Sequence, residues 1–253
     1  MTDINAIRVL YLLDRYPVRS ERFIVRDIDA LIKAGVDLRL VALDPLPKRD
    51  WHQEALDCGA DVIRAPGRFH PVNDWKRLLR RLNPPKRAPS ATPPSPFRHS
   101  FRERLQLRRD AWFAGLAEIM NADIIHASFA TLPATLAARV SELTGIPFTV
   151  SVHARDVFID SPNLNEKLNA ASAIFACNSA VANAARERCL SSGKVIEIRH
   201  PVPDIFFKRD LSAIGNKGSI RFSFIGRLVE KKGLKLALAA FSEIGRASCR
   251  ERV

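Results

Sequence analysis

Cysteine is scarce in this sequence and forms no pattern. Cys58, Cys177, Cys189 and Cys249 stand far apart, and no two share C-x-x-C spacing. That disfavours a disulfide framework or a zinc site and fits a reducing cytoplasm. No apolar run approaches the roughly 18 residues of a membrane-spanning helix. The opening residues, MTDINAIR, lack the basic start and apolar stretch of a secretory signal, so none is expected. The turn after the first apolar run carries no G-x-G-x-x-G, which leaves a dinucleotide site of the usual kind unsupported.

What the chain does have is apolar bulk and positive charge. Its 253 residues correspond to more than one domain and fewer than two, at roughly 150 residues each. Apolar residues make up 47% and charged residues 26%, a soluble globular composition. The net charge of +13 favours anionic partners: nucleic acid, anionic lipid or phosphorylated ligands.

Strand-like and helix-like runs alternate along most of the chain. Residues 7–13 (IRVLYLL) are nearly all apolar, as expected of a strand covered on both faces. Ser20 is placed to cap a helix through Ile24, Ile28, Leu31 and Ile32, with Gly35 as its stop. Strands are expected at residues 36–43, 61–64, 123–126, 148–153, 173–177 and 194–198. A short helix before Gly59 and helices over residues 132–143 and 179–190 fall between them. Such alternation predicts a mainly parallel, doubly wound α/β sheet of Rossmann-like kind with helices on both faces.

Two regions break the pattern. Pro84, Pro85, Pro89, Pro93, Pro94 and Pro96 crowd one stretch, which reads as an exposed excursion. Basic helical segments flank it at residues 75–82 (WKRLLRRL) and 101–116. Between Arg64 and Arg109 thirteen basic residues face only Asp74 and Glu103, so most of the net charge sits there. Leu78, Leu79 and Leu82 beside Arg80 and Arg81 make an amphipathic basic helix. It suits an anionic membrane surface or a plain solvated face. Nucleic acid is not expected, because no aromatic-basic interleaving or binding motif accompanies the charge.

The second break, at residues 208–218, reads as a linker. The expected domains are residues 1–207, then the linker, then the first strand (220–225) and helix (234–241) of a second α/β domain within residues 219–243. Residues 244–253 abandon the helical periodicity and resemble a translated sequencing adapter, so a non-native tail is expected there.

Ligands of open α/β sheets bind at the carboxyl ends of strands. Four loops lie there. The first, residues 14–21, holds Arg19 and Ser20, and helix capping alone would account for Ser20. The second begins at His126, and the third holds His153 and Asp156. Each histidine alone reads as structural; two ending neighbouring strands raise the functional reading. The fourth runs from Gly226-Arg227 to Lys232-Gly233, where a glycine bend, a guanidinium and an ammonium at a helix start make a pyrophosphate cradle.

In this order, YPVRSERFIVRDIDAL, IIHASFATLPATLAA, IPFTVSVHARDVF, KLNAASAIFACNS, KVIEIRHPVPDIFF and FIGRLVEKKGLKLALAAF resemble glycosyltransferase family 4. These are retaining GT-B enzymes, and the likeness is to the bacterial surface- and exopolysaccharide branch. The resemblance implies two facing Rossmann-like domains, the first taking the acceptor and the second the donor, a nucleotide-diphosphate sugar, with no cofactor and no metal. Arg227 and Lys232, with Gly226, would neutralise the leaving diphosphate. His153 would contact the donor sugar, and Asp156 would shape that site. Arg19, Ser20 and His126 would lie on the acceptor side of the cleft.

The implied reaction moves a sugar to a lipid-linked or saccharide acceptor, in the cytoplasm or peripherally at the inner membrane face. Two departures stand out. Pro201 and Pro203 occupy a loop where the family usually has a glycine and an acidic residue, and nothing after Phe241 matches the family's paired-glutamate motif. The chain is therefore expected to be a fragment with little or no activity. The alternative is a non-catalytic module that binds a membrane or a glycolipid.

Overall fold

A computed structural model describes residues 6–65, 101–159, 161–203, 206–207, 222–226 and 228–250, the side chains of 101–107, 231 and 245–250 excepted. The proline-rich stretch, the helix at residues 75–82, the linker at 208–218 and Arg227 lie outside the described residues. The chain divides into two compact units, Met1–Pro203 and Asp204–Val253.

The first unit is a seven-stranded sheet whose pairings are all parallel: β1 (Arg8–Tyr16), β2 (Asp37–Pro45), β3 (Val62–Arg64), β4 (Ile124–Ala127), β5 (Phe148–Val152), β6 (Ala173–Ala176) and β7 (Val195–Glu197). The spatial order is β3-β2-β1-β4-β5-β6-β7, so the winding reverses between β1 and β4. This is the expected doubly wound α/β fold.

Both faces are covered, as the apolar β1 run requires. Leu10 and Leu12 join Ile125, Phe148, Val150 and Ile174 in one core. Helices α3 (Phe101–Ile119), α4 (Leu132–Thr144), α5 (Ala154–Phe158), α6 (Leu164–Ala170) and α7 (Ser179–Arg186) follow β3 to β6 in the chain, and residues of each lie in that core or pack on it. Tyr11, Leu13 and Leu40 face the other way, against Ile24, Val25 and Ile28 of α1 (Arg22–Lys33) and Ala55 of α2 (Gln53–Asp57). Alternate side chains of one strand thus feed two cores.

The helix ends follow local chemistry, with one correction. Ser20 is not the cap of α1: residues Arg19–Glu21 form a 3-10 turn first, with the Glu21 N–H on the Val18 carbonyl at 2.9 Å, and Glu21 takes the cap position. Gly35 does stop α1, at φ +82°. Its N–H reaches the Ile32 carbonyl at 3.0 Å and that of Val36 the Leu31 carbonyl at 3.1 Å, the paired bonds of a left-handed helix stop. Gly145 ends α4 at φ +73° in the same spirit. Helix α7 is shorter than its sequence pattern: after Arg186 the Arg188 and Cys189 N–H groups bond three residues back, which tightens and ends the turn.

In the second unit a 3-10 turn (Glu230–Lys232) leads through Gly233, at φ +70°, into α8 (Leu234–Arg250). Two expectations are corrected there. Phe222–Ile225 form no strand, and among the described residues this unit has no second strand to pair with them. Helix α8 does not stop at Phe241 but continues through Gly245 to Arg250, since one interior glycine costs only about 1 kcal/mol. No helix among the described residues is long and apolar enough to cross a membrane.

Candidate functional site

The carboxyl edge of the sheet gathers the polar groups of the first unit around β5. His153 follows that strand by one residue and caps α5, and its side chain is 13% exposed. Its backbone N–H donates to Oδ2 of Asp156 at 2.8 Å. The Asp156 side chain is 1% exposed, and the same oxygen lies 3.6 Å from the His153 Nδ1. A buried carboxylate therefore fixes the turn that carries the imidazole. Nδ1 of His153 is itself buried without a hydrogen-bond partner, so the exposed part of the ring lies elsewhere.

Aromatic rings from other elements enclose His153. Phe23 of α1 lies 5.0 Å away between ring centroids, and Phe129, in the turn after β4, lies 4.6 Å away. His200, in the loop after β7, lies 5.2 Å away and nearly parallel. Sequence reasoning gave Phe23, Phe129 and His200 no role. Only the pairing of distant strands brings them together, and His200 lies three residues beyond the end of β7.

Acidic groups complete the surroundings. Burial raises the Asp27 carboxyl to about 6, against the pull of the nearby His153. Burial also raises Glu21, opposed by His153 and Arg155 and reinforced by Asp14. The first loop thus reaches the histidine through Glu21. Arg19 and Ser20 stand exposed in the preceding turn. Lys167, buried on α6, donates to the Ala130 carbonyl and to Ser161 Oγ at 3.2 Å. Its ammonium is weakened by burial and supported by Asp156.

His126 does not line a cleft, contrary to the expectation from its position. It lies inside β4, 8% exposed, with Nδ1 2.8 Å from Thr149 Oγ1 and Nε2 3.2 Å from Ser151 Oγ. Tyr11 packs on it at 4.6 Å. Burial, with His153 adding to it, lowers its pKa to about 4. Both nitrogens are occupied, so it acts as a structural, neutral imidazole.

The second unit holds the other sequence-derived candidates. A Cβ on Gly226 would stand 3.5 Å from the Phe224 ring. Lys232 is exposed at the end of the 3-10 turn, its backbone N–H on the Val229 carbonyl at 2.9 Å. Among the described residues no cluster of three or more histidines, cysteines or carboxylates could hold a metal ion.

No family model matches the chain, and no curated protein matches it in sequence. Solved structures do. A glycosyltransferase from Rickettsia africae superposes with a TM-score of 0.52 at 14% identity, over 81% of this chain and 45% of that one. HepE of Anabaena, crystallised with UDP and glucose, gives a TM-score of 0.48 at 15% identity, over 81% of this chain and 47% of that one. MurG of Acinetobacter baumannii gives 0.42 at 10% identity, over 78% and 47%. The chain thus spans about half the length of the structures it matches. It shares the Rossmann-like α/β fold of the Rickettsia africae glycosyltransferase.

Proposed function

We propose that this chain is the acceptor-side domain, with the beginning of the donor-side domain, of a retaining GT-B glycosyltransferase that builds a surface polysaccharide. The observation that carries the reading is the placement of His153. It stands at the carboxyl edge of β5, two strands from the winding reversal, on a turn fixed by buried Asp156. Ligands of such sheets bind at that edge. The fold shared with the Rickettsia africae glycosyltransferase supports the same reading.

In the proposed reaction a sugar passes from a nucleotide-diphosphate donor to a lipid-linked or saccharide acceptor. His153 meets the donor sugar with the exposed part of its ring. Asp156 holds the turn, and Arg19 and Ser20 border the acceptor side. Gly226, Arg227 and Lys232 take the diphosphate, whose growing negative charge is the main electrostatic demand of the step. The reaction takes place at the cytoplasmic membrane face and uses no metal.

The 253-residue chain has little or no transferase activity on this reading. Incubation with a panel of UDP- and GDP-linked sugars, followed by assay of nucleoside diphosphate release, tests it. Robust turnover would overturn the inactivity. Sedimentation with anionic vesicles, without affinity for any nucleotide sugar, would favour a membrane- or glycolipid-binding module instead.

A further inference from the structure

His200 belongs to the loop that follows β7, at the far edge of the sheet from α1 in strand order, yet its ring packs on α1. It lies 3.9 Å from the Phe23 ring at 32°. It also stacks on His153 at 5.2 Å, with the two planes within 13°. The loop is held at two points. The Ile198 N–H donates to the Ala176 carbonyl at 2.8 Å, and the Arg26 guanidinium reaches the Pro201 carbonyl at 3.4 Å. His153 is therefore boxed by rings from three separate elements: Phe23, Phe129 and His200.

The charges around the pair are uneven. Glu21 and Asp27, on the first loop and α1, interact with His153, as does His126 of β4, while Arg155 of α5 acts on Glu21. Asp156 lies against His153 from α5. Once that ring is charged, a parallel imidazole beside it resists a second proton. Burial already weakens the His200 cation, and His153 weakens it further.

We propose that His200 is a positioning residue for His153: their stack fixes the plane of the His153 ring. The inference rests on the reading that His153 meets the sugar nucleotide. A ring locked in one plane offers its exposed edge in one direction.

Proton NMR of the full 253-residue chain with 13C-labelled histidine tests this, following each ring from about pH 4.5 to about pH 8.5 around the ordinary histidine value. In the wild-type chain the His153 ring should show close contacts to the Phe23, Phe129 and His200 rings. His153→Phe keeps a ring and removes the titratable group, and should raise the His200 midpoint. His200→Ala should abolish the close contacts between the His153 ring and Phe23 and Phe129, whereas His200→Phe should preserve them and keeps the test valid if the alanine variant unfolds.

An unmoved His200 midpoint in His153→Phe, or unchanged His153 contacts in a folded His200→Ala chain, overturns the proposal. Loss of the transferase reading is distinguishable. A chain whose histidines ignore every nucleotide sugar, with the titrations coupled as described, defeats that reading and leaves the paired imidazoles standing.

Discussion

The backbone N–H of His153 donates to Oδ2 of Asp156 at 2.8 Å, across the three residues that turn β5 into α5. The acceptor is buried, so no solvent replaces it cheaply when it is lost. Asp156→Ala should destabilise the first unit by about 1–3 kcal/mol. Asp156→Asn, which keeps a carbonyl oxygen at the same place, should cost less. Urea unfolding followed by circular dichroism gives the comparison, and an alanine variant as stable as wild type would contradict the assignment.

His126 supplies a pH dependence of definite sign. Its folded pKa of about 4 lies below the unfolded value of 6.5. Between these values the unfolded chain binds more protons, so stability rises with pH. The stabilisation is complete above about pH 6.5 and is lost as pH falls through about 4, a change of about 3 kcal/mol. His126→Phe should flatten that slope while leaving Thr149 and Ser151 without their ring partner. Unfolding midpoints at several pH values check this.

Asp27 works in the opposite direction. Its folded pKa of about 6 lies above the ordinary 3.8. The folded chain holds the proton more tightly, so the ionised form carries a penalty that is full above about pH 6 and gone below about 4. Asp27→Asn should therefore stabilise the protein at pH 7 by about 1–2 kcal/mol, allowing for screening of a half-buried group. It should change little at low pH.

Gly35 and Gly145 end their helices at φ +82° and +73°, and neither would meet an atom within 4 Å if given a Cβ. Any cost of Gly35→Ala or Gly145→Ala is then backbone strain alone, about 1 kcal/mol each. Thermal unfolding of the two variants measures it; a neutral result at either position would contradict the left-handed stop.

The sheet was legible because its strands are short apolar runs between turn residues, and IRVLYLL reads as a strand covered on both faces. The site was less so. In sequence His126 and His153 look alike, each closing an apolar run. Strand β4 continues one residue past His126, to Ala127, whereas β5 stops one residue before His153. That difference separates a buried imidazole from one at the edge, and it is finer than sequence patterns resolve. Ser20 failed for the same reason, displaced from the cap by a single extra turn. His200 could not be read at all, since its partner rings come from α1 and from the turn after β5 through long-range pairing. The strand expected at residues 220–225 was argued from apolar content, which supplies no neighbour to bond with.

The central claim is that the carboxyl edge around His153 receives the sugar end of a nucleotide sugar. Histidine-detected NMR titration of the chain with UDP- and GDP-linked sugars tests it most directly. The account predicts saturable shifts of the His153 and His200 ring signals, with affinity of about 1 mM or weaker, and an unmoved signal from buried His126. Ring signals of His153 that stay fixed through saturating concentrations of every donor, or shifts confined to His126, would contradict it.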